Sequence, residues 1–186
     1  MDYLQECFLA FVRERFEHYR IGQSFYKNGA QPGDQDCQNP HLKTEADLQI
    51  KFGGFLELWL QDYDKSLVVH AELPIYANPR ARADLTTHRV YSNTNWASRQ
   101  QILESLESVI EIKYANVRTP LYDFEHGGIE KDIGLLSSLP SGVGRYLVLV
   151  DEAESIHRAQ VDKFIEDAKA NAVTILSNNS DLMVSS

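Results

Sequence analysis

Cysteine is nearly missing from this chain, with only Cys7 and Cys37 among 186 residues. The two are far apart, and an intracellular protein keeps such thiols reduced, so no disulfide framework is expected. No second Cys or His pair stands at ligand spacing, which excludes a zinc-ribbon pattern. There is no Gly-x-Ser-x-Gly elbow. Gly142-Val143-Gly144 precedes an apolar run instead of following one, so it is not a phosphate-binding loop. No apolar stretch approaches the length of a membrane span, and the opening Met1-Asp2-Tyr3 begins no signal-peptide pattern. The expectation is a cytoplasmic protein with no membrane partner. Basic charge is also short. The formal net charge of −9 argues against a general nucleic-acid binder, which shows a basic footprint. Repeats and low-complexity segments are lacking as well.

What remains is an ordinary globular composition, 43% apolar and 24% charged, in a chain long enough for one domain with a real core. Leu4, Phe8, Phe11 and Phe16 recur at helical spacing and predict a helix over 2–20. The Gly-, Asn-, Asp- and Pro-containing stretch from Ile21 to Pro40 reads as a loop. Residues 1–40 are therefore expected as a helix and loop packed on a main body of residues 41–186, a single domain in all. A helix capped by Thr44 carries an apolar stripe of Leu48, Phe52, Phe55 and Trp59. Strands are predicted over Ser66–Ile75, Ala81–Val90 and Val109–Tyr114, with a helix over Ser98–Glu107 between the last two. A helix over Ile129–Leu139, a fully apolar strand Tyr146–Val150, a helix over Ser155–Ala170 and a strand Val173–Leu176 complete the order. Tyr146–Val150 reads as a central parallel strand covered on both faces, and its connection to the last strand as a right-handed crossover.

The strand around Val109-Ile110-Glu111-Ile112-Lys113-Tyr114 carries two opposite charges between apolar residues. Alternation puts Glu111 and Lys113 on one face and Ile110 and Ile112 on the other. Buried charges need partners. Asp84 lies on the preceding strand, and neighbouring strands run about 4.8 Å apart, so the two carboxylates can meet. Such a pair repels unless a cation lies between, and oxygen ligands suit Mg²⁺ or Mn²⁺. Lys113, on the same face, is placed to orient or deprotonate a water.

An acid on one strand followed by Glu-x-Lys on the next resembles the PD-(D/E)xK nuclease superfamily, the restriction-endonuclease-like fold. The likeness covers about residues 41–152. It implies an α/β fold with an αβββαβ core, a mixed central sheet flanked by helices, an extra N-terminal helix and a C-terminal βαβ extension. It further implies that Asp84, Glu111 and the Ile112 carbonyl hold the metal and that Lys113 serves the attacking water. Glu45 matches the helix-borne acid many members place beside the metal, and Lys131 a polar position facing the site. Ala83 stands where the family has proline, and the gap from Asp84 to Glu111 holds an extra helix.

Each of these residues has a plainer reading: a surface ion pair for Glu111 and Lys113, an Arg82-paired acid for Asp84, a dipole contact for Glu45, an exposed lysine for Lys131. Arg80, Arg82, Arg89 and Arg99 form a basic island suited to binding substrate phosphates, or a solvated face. The function implied is a Mg²⁺- or Mn²⁺-dependent nuclease acting on DNA by a metal-activated water, with RNA a weaker option. The alternative is a catalytically silent binding or assembly module of the same fold, favoured by the acidic charge. A homodimer or a protein partner fits either reading.

Overall fold

The computed structural model describes residues 2–16, 45–78, 80–91, 98–115, 128–151 and 158–179. Helix α1 spans Tyr3–Phe11 and runs into a π-helical turn at Val12–Phe16. It starts with a reciprocal cap: the Asp2 carboxylate accepts the Gln5 amide at 2.9 Å, and Gln5 Oε1 accepts the Asp2 amide at 3.2 Å. Helix α2 (Glu45–Tyr63) follows, then strands β1 (Leu67–Leu73) and β2 (Ala83–Arg89), helix α3 (Arg99–Glu104) and strand β3 (Leu106–Ala115). Helix α4 (Glu130–Ser137), strand β4 (Gly144–Asp151), helix α5 (Arg158–Ala170) and strand β5 (Thr174–Ser177) complete the chain. The loop expected over 21–40 and the Thr44 cap lie outside the described residues.

The five strands form one sheet in the order β1-β2-β3-β4-β5. The pairs β1–β2 and β2–β3 are antiparallel, while β3–β4 and β4–β5 are parallel. The protein is thus α/β with a mixed sheet. Alternation divides the side chains of β3 between two cores. Ile110, Ile112 and Tyr114 pack with Phe8 and Phe11 of α1 and Leu48, Phe52 and Leu56 of α2. Val109 joins Leu147 and Leu149 of β4, Ile133 and Leu136 of α4, and Phe164 and Ile165 of α5 on the opposite face. With helices on both faces, β4 can be apolar throughout, and Leu147 to Val150 are all fully buried.

Two expectations shift. The helix predicted over Ser98–Glu107 ends at Glu104, and β3 begins at Leu106. Helix α3 buries none of its residues, whereas Leu106 and Ser108 pair with His88 and Thr87 of β2. Sheet pairing therefore decides the boundary. In α2 the deepest stripe is Leu48, Phe52, Leu56 and Leu60, and Phe55 and Trp59 pack only partly buried against that core.

The two adjacent glycines of α2 differ. A Cβ on Gly53 would lie 3.0 Å from Leu85 Cδ2, so the glycine lets the helix sit close on β2. A Cβ on Gly54 would meet nothing within 4 Å. Gly54→Ala is expected to stabilise the protein by about 0.5–1 kcal/mol through helix propensity alone, read as a higher urea midpoint at unchanged slope. An unmoved midpoint would show that this face is not open.

Candidate active site

The charged residues of β3 converge with acids from three other elements. The β2–β3 ladder ends at the pair Leu85–Ile110. Beyond it, Asp84 uses its side chain where the ladder stops: Oδ2 accepts the Ile112 amide at 2.7 Å. The main-chain carbonyl of Asp84 accepts Gln49 Nε2 from α2 at 2.7 Å. Glu72, an acid on β1, is exposed and holds the same Gln49 amide at 3.0 Å. Its backbone is left-handed, with φ of 57°, a strained conformation for a non-glycine residue beside the site.

Glu111 is only 4% exposed. Its Oε1 accepts a short hydrogen bond from the buried Tyr76 hydroxyl, carried on the β1–β2 connection. Lys113 Nζ lies 2.9 Å from Asp132 Oδ2 of α4 and 3.2 Å from Glu45 Oε1 at the start of α2. It also donates to the Ile112 carbonyl at 3.2 Å. The Asp132 contact is an ion pair, and among the described residues that buried oxygen has no donor besides Lys113.

Four carboxylates, Glu45, Asp84, Glu111 and Asp132, thus share one ammonium group. Burial, opposed by the Ile112 amide and Lys113, raises the Asp84 carboxyl to about 6. Burial, reinforced by Asp84 and Asp132, raises Glu111 to about 9. Asp132 is raised as well, by burial. For Lys113 burial works downward, but Asp132 and Glu45 outweigh it and the ammonium is held more firmly protonated than usual. These directions describe a pocket short of positive charge.

Glu45, Asp84, Glu111 and Lys113, singled out in the sequence, do come together. Arg89 does not join them. Its guanidinium is committed at the other end of β2 to Asp64 at 2.9 Å and Glu107 at 2.5 Å. Arg82 is exposed and donates to the Glu72 carbonyl at 2.9 Å, so it is not the partner of Asp84. Arg80 is exposed on the same connection. Arg99 holds the Ile75 carbonyl at 2.6 Å. Lys131 is exposed, and it is the next residue, Asp132, that turns into the site. Helical spacing carried this signal: Asp132 lies three residues after buried Ile129 and four before buried Leu136, on the inward face. Tyr76 carried none, because an aromatic residue in a connecting loop announces no partner.

The donor set bears on the expected metal. Among the described residues no group of three or more His, Cys, Asp or Glu is arranged to hold an ion. Glu45 and Asp132 face Lys113, which leaves Asp84 and Glu111. Two carboxylates, crowded enough to favour protonation, suit an ion such as Mg²⁺, which binds through one or two carboxylates and completes its shell with water and substrate phosphate. The residues fit an open site of that kind and do not fit a closed protein cage. No described helix is long and apolar enough to cross a membrane. No family model, curated protein or solved structure matches this chain.

Proposed function

We propose that this chain is a metal-dependent nuclease of the PD-(D/E)xK kind, hydrolysing phosphodiester bonds in DNA. The observation that carries the reading is the convergence of Asp84, Glu111 and Lys113 on one face where β2 and β3 part, with Glu45 beside them. The order helix α2, antiparallel strands β1 to β3, helix α4 and parallel strand β4 supports it as the order of a restriction-endonuclease-like core. Asp84 and Glu111 would hold Mg²⁺ or Mn²⁺, and the bound ion would polarise a phosphoryl oxygen and lower the pKa of a water. Lys113, its ammonium held between Asp132 and Glu45, would donate hydrogen bonds and offset developing negative charge. Asp132 and Glu45 fix the direction of that ammonium from two sides. Arg80 and Arg82, exposed on the connection that leads into Asp84, would meet the phosphate backbone.

The test is cleavage of plasmid and single-stranded DNA with Mg²⁺ or Mn²⁺, against chelator. Lys113→Ala is expected to cut the rate by about 10²-fold or more. Equal cleavage by wild type and Lys113→Ala would sink the assignment. A second reading, a silent module of the same fold, is favoured by one observation: Glu45 and Asp132 both occupy the lysine, and only two acids remain for a metal. Calorimetry with Mn²⁺ separates the two, since the silent module binds none.

A further inference from the structure

Given the cation site proposed above, on which this rests, Asp84 and Glu111 have a shared peculiarity. Each has one of its two oxygens already taken by a donor of the protein. Asp84 Oδ2 accepts the Ile112 amide at 2.7 Å, and Glu111 Oε1 accepts the Tyr76 hydroxyl. Neither Asp84 Oδ1 nor Glu111 Oε2 accepts a hydrogen bond from the described residues. Each acid therefore keeps one oxygen to which no described residue donates, while its other oxygen is already engaged.

The donors differ in kind. Ile112 gives a main-chain amide of the central strand. Tyr76 gives a side chain from outside any strand, on the stretch between β1 and β2. That stretch is tied down at Ile75, the residue immediately before Tyr76. Ile75 is buried, its amide donates to the Leu73 carbonyl at 2.9 Å, and its carbonyl accepts Arg99 Nη2 from α3 at 2.6 Å. Tyr76 itself is 3% exposed, so water does not compete for its hydroxyl. A buried hydroxyl aimed at a buried carboxylate by an anchored loop is a fixed feature of the pocket.

Ions respond differently to such a carboxylate. Mg²⁺ takes six oxygens in a strict octahedron and is satisfied by single carboxylate oxygens, whereas Ca²⁺ takes six to eight and readily uses both oxygens of one carboxylate. We infer that Tyr76 is a positioning residue that determines ion selectivity: by occupying Glu111 Oε1 it restricts that carboxylate to one free oxygen and favours Mg²⁺ over Ca²⁺. The Ile112 amide imposes the same restriction on Asp84 and cannot be varied by side-chain replacement.

The experiment compares Mg²⁺ and Ca²⁺ affinities of the full chain by titration calorimetry, with each ion also competed against Mn²⁺. Tyr76→Phe removes the hydroxyl and keeps the ring. The expected result is a ratio of Ca²⁺ to Mg²⁺ affinity raised about tenfold over wild type. Tyr76→Met, which also lacks a donor, should move the ratio in the same direction, and it serves if the phenylalanine variant does not fold. A merely structural role would weaken both ions together and leave the ratio alone, so an unchanged ratio in a folded variant overturns the inference. Where wild type binds Mg²⁺, Glu111→Gln abolishes that binding and the Tyr76 variants keep the wild-type ratio, only the role of Tyr76 falls. A wild type that binds neither ion overturns the cation site and this role with it.

Discussion

Glu111→Gln is expected to abolish metal-dependent cleavage and, in the absence of metal, to make the protein more stable. Glu111 is buried beside Asp84 and Asp132, and these surroundings raise its carboxyl from 4.5 to about 9. The unfolded chain releases that proton near the ordinary glutamate value, while the native chain keeps it. Between about 4.5 and about 9 the native state therefore binds one more proton than the unfolded state, and stability falls as pH rises through this window. Asp84, raised from 3.8 to about 6, adds a loss of the same sign over its own narrower range. At pH 7 the Glu111 contribution amounts to roughly 3 kcal/mol. Glutamine is neutral at every pH, keeps an oxygen for the Tyr76 hydroxyl and removes the penalty. Thermal melts in chelator should place the variant above wild type by about 6–12 °C at pH 7, with the gap closing near pH 4. Adding Mg²⁺ at pH 8 should raise the wild type and leave the variant unmoved, because the ion binds the deprotonated acid. A variant less stable than wild type at pH 8 in chelator would show that Glu111 is not held against its charge.

The second large effect belongs to the Lys113–Asp132 pair. Lys113→Met should destabilise the protein by about 3–5 kcal/mol, the usual result of stranding one member of a buried ion pair. Asp132 is 4% exposed and comes from α4, and its Oδ2 accepts no hydrogen bond from the described residues, so removing the ammonium strands a buried charge. Burial already raises the Asp132 carboxyl, so it can take up a proton as pH falls and the loss should shrink toward acid pH. The double variant Lys113→Met with Asp132→Leu replaces the pair by apolar groups and should recover most of the stability while remaining inactive. Denaturant melts of the two single variants and the double variant form a cycle with an expected coupling of about 2 kcal/mol or more. Additive effects would mean that the two residues do not depend on each other. Glu45 is the contrasting partner: its side chain is 44% exposed, and Glu45→Gln should cost less than about 1 kcal/mol.

The element order and the faces of the strands were legible in the sequence because they follow from periodicity. Alternation in β3 separated Ile110 and Ile112 from Glu111 and Lys113, and the structure sends them to opposite sides of the sheet. The unbroken apolar run of β4 announced cover on both faces. Boundaries were less legible where two tendencies compete, as where the helix expected to reach Glu107 gives way at Ser105 to strand pairing with β2. The arginines were the least legible. Arg89 looked like part of a phosphate-binding island, yet tertiary contacts with Asp64 and Glu107 commit it elsewhere. A charge in a sequence does not say which neighbour neutralises it.

The chain by itself determined that an acid on one strand and Glu-x-Lys on the next would face one side of a sheet, since side-chain direction along a strand depends only on spacing. It could not determine what meets those side chains there. That Asp132 and not Lys131 enters from α4, that Tyr76 closes over Glu111, and that the end of the β2–β3 ladder frees the Ile112 amide for Asp84 were decided by the packing of distant segments. The physical reason is range. Periodicity is a local property of consecutive residues, whereas the charge balance of a buried pocket depends on groups 30 to 70 residues apart in sequence, such as Glu45 and Lys113 or Tyr76 and Glu111.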